Sequence, residues 1–289
     1  MDLASAALLG LVEGVTEFLP VSSTGHLVLV GALLGHHDAT SKTFDVVIQL
    51  GAVLAVLLHY RSVFLGLARG LWRREAHALR LATSLAVAFM PLAAAGLVLG
   101  KHIKRLLFGP GPVGAALLVG GLVMLAAERP WLRGATARLD KLTDVTPSRA
   151  MFIGLGQCFA LWPGMSRSMT TIVAGQLTGL STATAAEFSF LLSVPVLGAA
   201  TVFDLVREHD RLAEAGAIAP LLVATAVSFG SALVVMRGLL RYLGRRGLAP
   251  FAAYRVVLGC LVLWLASREP SPIDPGVRTP PLPTAAPRS

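Results

Sequence analysis

Three stretches of this chain run to bilayer depth without a single charged residue: Leu81–Gly100, Leu106–Ala127 and Ala215–Met236. A helix needs about 20 consecutive apolar residues to cross the hydrocarbon core, so lipid is the solvent for which this sequence is built. Val46–Leu58, Phe188–Phe203 and Val256–Ser267 are shorter uncharged runs that span with their flanks or a tilt. Composition agrees. Charged residues make up 14% of the chain, against about 25% in an ordinary soluble domain. Backbone polar groups in lipid must be satisfied within the segment, so the expected fold is an all-α integral membrane protein with about six transmembrane helices.

The formal net charge of +9 would suggest a nucleic-acid partner in a soluble protein. Here the arginines sit between apolar runs, with no aromatic-interleaved basic stripe, so nucleic acid is excluded. Residues 60–80 hold Arg61, Arg69, Arg73, Arg74 and Arg80, and residues 129–149 hold Arg129, Arg133, Arg138, Lys141 and Arg149. Residues 237–247 add Arg237, Arg241, Arg245 and Arg246, whereas the intervening loops carry only Lys101, Lys104 and Arg105, or Arg207 and Arg211. The positive-inside rule places the three Arg-rich loops in the cytoplasm and the C-terminal tail outside. Cys158 and Cys260 lie in apolar stretches with no metal-binding spacing and read as buried free thiols. No cleaved signal is expected at the N-terminus. Residues 268–289 are Pro-rich and read as a disordered tail.

Two segments interrupt the pattern. Glu13 and Glu17 break the first apolar stretch, and Pro20, Ser22, Ser23, Thr24, Gly25 and His26 follow. Neither flanking apolar arm is long enough to cross, and irregular backbone at membrane depth must be buried in protein or line a wet cavity. A re-entrant helix hairpin meets that condition. Met151–Trp162 runs in the same way into Pro163-Gly-Met-Ser-Arg-Ser-Met-Thr-Thr171. Pro20-x-x-Ser23 falls opposite Pro163-x-x-Ser166, Gly10-Leu11 opposite Gly154-Leu155, and Phe44 opposite Phe188. The expectation is one membrane domain over residues 1–267, with repeats over about 1–128 and 150–267. Each repeat holds one hairpin and three spans. Three is odd, so the repeats insert in opposite senses, an inverted-topology arrangement.

The side chains in the two loops are complementary. Glu13 and Glu17 share a helix face, and carboxylates at membrane depth are functional by default. They suit a divalent cation with hard oxygen ligands or a divided acid and base role. Ser22, Ser23 and Thr24 open the next helix, where hydroxyls and free N–H groups favour an anion. His26 is a candidate nucleophile or general acid–base. Arg167, among Ser166, Ser168, Thr170 and Thr171, needs a counter-anion, either phosphate oxygens or an internal partner in Glu13 or Glu17. Asp45, Gln49 and Glu187 are candidate interhelical contacts. Arg255, beside Tyr254, either approaches the anion or snorkels to the interface.

Glu13-Gly-Val-Thr-Glu17-Phe-Leu-Pro-Val-Ser-Ser-Thr-Gly-His26 and Pro163-Gly-Met-Ser-Arg-Ser-Met-Thr-Thr171 resemble the two signatures of the bacterial undecaprenyl-pyrophosphate phosphatases, the bacitracin-resistance family. The likeness extends over about residues 1–267 and includes Thr43–Gly51 and Glu187–Leu192. It implies a membrane hydrolase, dependent on Mg2+ or Ca2+, that converts undecaprenyl diphosphate to the monophosphate and so recycles the lipid carrier for peptidoglycan. It also implies a homodimer in the bacterial inner membrane with a site open to the periplasmic side. Glu13, Glu17, Ser22, Ser23, His26, Ser166, Arg167 and Thr171 carry over as site residues, joined by Thr24 and Ser168 as phosphate contacts. His26 is the first candidate nucleophile, then Ser23, then metal-activated water. The principal alternative is a lipid-phosphate flippase or anion transporter on the same inverted repeat. A membrane phosphatase with a P-S-G-H loop fits less well, because His209 alone follows Arg167 and is far off in sequence.

Overall fold

The computed structural model describes residues 1–35, 44–129, 139–214 and 218–268, and they are all-helical apart from one isolated bridge between Leu139 and Leu180. The first half contributes α1 (Leu3–Thr16), α2 (Ser23–Leu33), α3 (Gln49–His59), α4 (Arg61–Trp72), α5 (Ala76–Leu107) and α6 (Pro110–Ala127). The second contributes α7 (Pro147–Gln157), α8 (Arg167–Leu177), α9 (Thr182–Glu214), α10 (Ile218–Arg246) and α11 (Ala249–Ala266). The Pro-rich tail from residue 269, His36, His37, Arg133 and Arg138 lie outside the described residues.

Among the described residues five helices, α5, α6, α9, α10 and α11, are long and apolar enough to cross a membrane. The sixth expected span is a helical segment, Phe44–His59, from which α4 bends away by 72°. Outward-facing Leu97, Val98, Val234 and Val257 are strongly exposed, as expected for side chains whose solvent is lipid. Pro91 lies inside α5 and Pro195 inside α9. Such breaks persist in membrane helices because neighbouring groups satisfy the freed carbonyls.

Both expected hairpins form. The arms of α1–α2 and of α7–α8 pack on each other, and every arm is shorter than a span. Asp2 caps α1 by accepting from the N–H groups of Ala4 and Ser5 at 2.9 Å. The hairpins then dock on long helices of the opposite half. Gly10 on α1 meets the Ala224 backbone of α10, and Gly154 on α7 meets the Ala88 backbone of α5, so closely that neither site has room for a Cβ. Small residues permit the same approach between α6 and α11, where Gly114, Gly121 and Gly259 lie in the seam.

One detail of the sequence pairing is corrected. Ser22 and Ser166 are the serines with matching geometry: each has a positive φ (77° and 73°) and caps the following helix through its own side chain. Ser22 therefore corresponds to Ser166, at the same sequence separation as Gly10 and Gly154 or Phe44 and Phe188. Pairing on the prolines slipped the register by one residue, because the first loop is one residue shorter between proline and cap.

Candidate active site

The end of α1 and the start of α2 bring the first group of side chains together. Glu17 is the C-cap of α1 and is buried. Its Oε2 accepts a 2.6 Å hydrogen bond from Ser23 Oγ at the first residue of α2. Its Oε1 accepts from Arg167 Nε and Nη2, at 3.3 and 3.1 Å, at the first residue of α8. The two loops thus meet through one carboxylate. Of the counter-anions open to Arg167 in the sequence, Glu17 is the one in contact, with both side chains under 10% exposed.

Arg167 is held from a third side. Its Nη1 donates to the Ser189 carbonyl at 3.0 Å and to Ser189 Oγ at 3.4 Å, while Ser189 Oγ lies 2.6 Å from Thr171 Oγ1. Thr170 and Thr171 both donate back to the Arg167 carbonyl. A guanidinium has five N–H donors, and these four contacts leave one, on Nη2, for an incoming anion. Ser168 Oγ donates to the Leu19 carbonyl at 3.0 Å, which ties the loops at a second point, and lies 3.1 Å from Ser166 Oγ. Phe18 and Phe190, the sequence neighbours of Glu17 and Ser189, pack edge to face at 5.1 Å.

His26 is engaged elsewhere. Its Nδ1 donates to the Ser22 carbonyl at 2.7 Å, which leaves Nε2 of the neutral ring to accept from Tyr254 Oη at 2.7 Å. The two rings lie within 9° of parallel. Both nitrogens are therefore occupied, and neither bonds to Glu17 or Arg167. Thr24 is half-buried in the same turn.

Glu13 is fully buried, and neither carboxylate oxygen has a hydrogen-bond partner. Orphaned hard oxygens one turn from Glu17 are chemically suited to a divalent cation, with water and substrate oxygens completing the shell. Among the described residues no group of three His, Cys, Asp or Glu converges as a metal cage, so a cation here would depend on its ligand for coordination. In the second half the position of Glu13 is taken by Gln157, whose side-chain amide is likewise buried without partners.

Of the two roles the sequence left open for Arg255, burial rules out one. It is fully buried, so it does not snorkel. Its guanidinium donates to four carbonyls: Pro20 at 3.4 Å, Gly164 at 2.9 Å, Ala116 at 3.0 Å and Leu117 at 3.4 Å. Pro20 and Gly164 belong to the two loops, so α11 clasps both from behind. Gly120 makes room for it, since a Cβ there would collide with the guanidinium.

A family model described as bacitracin resistance protein BacA matches residues 6–261, which contain every residue of this site. The chain belongs to the BacA family. BacA-family relatives align over nearly their whole length. The undecaprenyl-diphosphatase of Sorangium cellulosum is 59% identical over 261 residues, 90% of this chain and 85% of the relative. Undecaprenyl-diphosphatase 2 of Rhodospirillum rubrum is 46% identical over 262 residues, covering 90% and 94%. The undecaprenyl-diphosphatase of Neisseria meningitidis is 43% identical over 265 residues, covering 90% and 95%. The resemblance read from the two loop signatures is thereby borne out.

Sequence reasoning missed Ser189 and the partner of His26. Ser189 could have been found from the repeat, since it stands at the position that Asp45 occupies in the first half, directly after the matched Phe44 and Phe188. Tyr254 carries no such signal.

Proposed function

We infer that this chain is an undecaprenyl-diphosphatase, which hydrolyses the phosphoanhydride of undecaprenyl diphosphate to undecaprenyl phosphate and inorganic phosphate. The observation that carries the chemistry is the Ser23–Glu17–Arg167 constellation, a buried hydroxyl bonded to a carboxylate beside a guanidinium with a free donor. The membrane spans supply the setting for a lipid substrate.

The bonding pattern favours Ser23 as nucleophile over His26, whose nitrogens are both occupied. Glu17 Oε2 takes the Ser23 proton as Oγ attacks the terminal phosphorus. The P–O bond of the anhydride breaks, and undecaprenyl phosphate leaves with its bridging oxygen. Glu17 passes its proton to that leaving oxygen and is a carboxylate again. It then takes a proton from water as the water attacks phosphorus, and returns it to Ser23 Oγ as the Ser23–phosphate bond breaks. The remaining Arg167 Nη2 donor faces the equatorial oxygens, where charge accumulates in the transition state. Thr24 and the N-terminus of α2 contribute neutral donors near the same anion, while Ser166 and Ser168 hold the second loop against the first. Glu13 and Glu17 would hold a Mg2+ or Ca2+ ion, which would neutralise diphosphate charge. Tyr254 positions His26 rather than freeing it for attack.

Under this reading the two repeats insert in opposite senses, so that the hairpins meet within the membrane, with the site open to the periplasmic side. Three spans per half and the reciprocal docking of α1 on α10 and α7 on α5 support it. The test is phosphate release from undecaprenyl diphosphate by purified protein in detergent with Mg2+. Release is expected from the wild type and about a thousandfold less from Arg167→Ala. No release from the wild type, or undiminished release from the variant, contradicts the assignment.

A further inference from the structure

Away from the Glu17–Arg167 site, the bend between α3 and α4 opens a cavity of about 350 Å3 lined by Leu58, His59, Arg61, Ser62, Leu233 and Arg237. Arg61 and Arg237 come from helices remote in sequence, yet both face this one space. No carboxylate lines it, and neither arginine forms an ion pair among the described residues. Two like charges, a hydroxyl and an imidazole around one cavity ask for an anion. The N-terminus of α4 adds to the demand, because Tyr60 provides no side-chain cap for its first N–H groups.

The surroundings specify what kind of anion. The segment Phe44–His59 is about 24 Å long at 1.5 Å per residue, somewhat less than the hydrocarbon core of about 30 Å. A helix of that length starting in one head-group layer ends just short of the other, and there α4 turns by 72°. Val63, Leu67 and Gly70 face the protein, whereas Leu65, Leu71 and Trp72 are exposed next to Arg69 and Arg73. Trp72 is 91% exposed. An apolar stripe bordered by arginines and ending in an exposed tryptophan is the pattern of a helix lying in the membrane interface. Leu58 and Leu233 give the cavity an apolar wall suited to an acyl chain.

We propose that the cavity formed by His59, Arg61, Ser62 and Arg237 binds the phosphodiester head group of an anionic phospholipid, with α4 lying along the surface of the same leaflet. Both arginines belong to the Arg-rich segments that the positive-inside rule assigns to the cytoplasmic leaflet, where basic pockets between helices bind such head groups. The guanidinium pair contacts the phosphate oxygens, Ser62 and the α4 N–H groups donate beside it, and an acyl chain rests on Leu58 and Leu233.

Native mass spectrometry of the full chain in neutral detergent tests this, with phosphatidylglycerol and phosphatidylcholine added separately. The wild type retains phosphatidylglycerol preferentially. Joint replacement Arg61→Ala and Arg237→Ala weakens that binding about 30-fold, each arginine near an anionic surface being worth about fivefold. Phosphatidylcholine adducts and thermal stability in phosphatidylcholine nanodiscs stay unchanged. Equal retention of the two lipids by the wild type overturns the proposal whatever the variant does. Equal phosphatidylglycerol binding by the two proteins also overturns it, as does displacement of the lipid by inorganic phosphate, which would make free phosphate the occupant.

Discussion

Ser23 Oγ and Glu17 Oε2 lie 2.6 Å apart across the turn that joins α1 to α2, and the same carboxylate reaches Arg167 through its other oxygen. One side chain therefore carries both the proton acceptor for Ser23 and the orientation of the cation. Glu17→Gln keeps the shape but removes the base, and activity is expected to fall about 10²- to 10⁴-fold. Phosphate release at saturating substrate measures this, and a loss confined to KM would argue against a role as base.

Arg167→Ala should also cost stability, because it leaves Glu17 in a buried site without its cation. Breaking such a pair costs about 3–5 kcal/mol. Arg167→Lys retains charge but cannot bond Glu17 and Ser189 in the same planar geometry. Its activity is expected about a hundredfold below wild type, with part of the stability restored. Thermal unfolding and turnover measured on both variants separate the two effects.

Tyr254→Phe removes one hydrogen bond to His26 and nothing at Glu17. A loss of about tenfold or less is expected, since a neutral hydrogen bond contributes about 1 kcal/mol. His26→Ala should likewise leave more activity than Glu17→Gln. Turnover by the two variants checks this order, and a reversed order would return His26 to the reacting centre.

Gly120→Ala probes the clasp from α6, its methyl meeting the Arg255 guanidinium first and the flexible end of Met169 at 3.0 Å. The added methyl displaces the Arg255 guanidinium from the carbonyls of Pro20 and Gly164. Stability should fall by about 1–3 kcal/mol, as overpacking costs, with hydrogen exchange rising at both loops together. Exchange rising at one loop alone would show that Arg255 does not couple them.

Acid should loosen the start of α1 only at low pH. Hydrogen bonds from the side chain and backbone of Ser5 hold the Asp2 carboxyl at a pKa of about 2. A depressed folded-state pKa stabilises the cap above the unfolded value of about 4, and the effect is lost as pH falls through about 2. Amide exchange at Ala4 and Ser5 should rise over that window, and Asp2→Asn should abolish the dependence.

The spans, the two hairpins and the residues Glu17, Ser23 and Arg167 were legible because charge and hydroxyl are so costly in lipid that their presence marks a site. Three features were not legible. The Arg255 clasp is made entirely of backbone carbonyls, which leave no trace in side-chain patterns. The bend after His59 has no proline or glycine to announce it, only the change from uniform apolarity to an amphipathic stripe at Arg61. The register of the repeat was off by one at Ser22, because proline spacing was matched where the cap geometry was the conserved element of the fold within this chain.

Replacement of Ser23 by alanine tests the central claim most directly. With undecaprenyl diphosphate labelled in its terminal phosphate, the wild type should release labelled phosphate and undecaprenyl phosphate in equal amounts. Ser23→Ala, folded and with unaltered thermal stability, should release it at least about a thousandfold more slowly. A folded Ser23→Ala protein that still releases phosphate at a rate close to wild type would contradict the account.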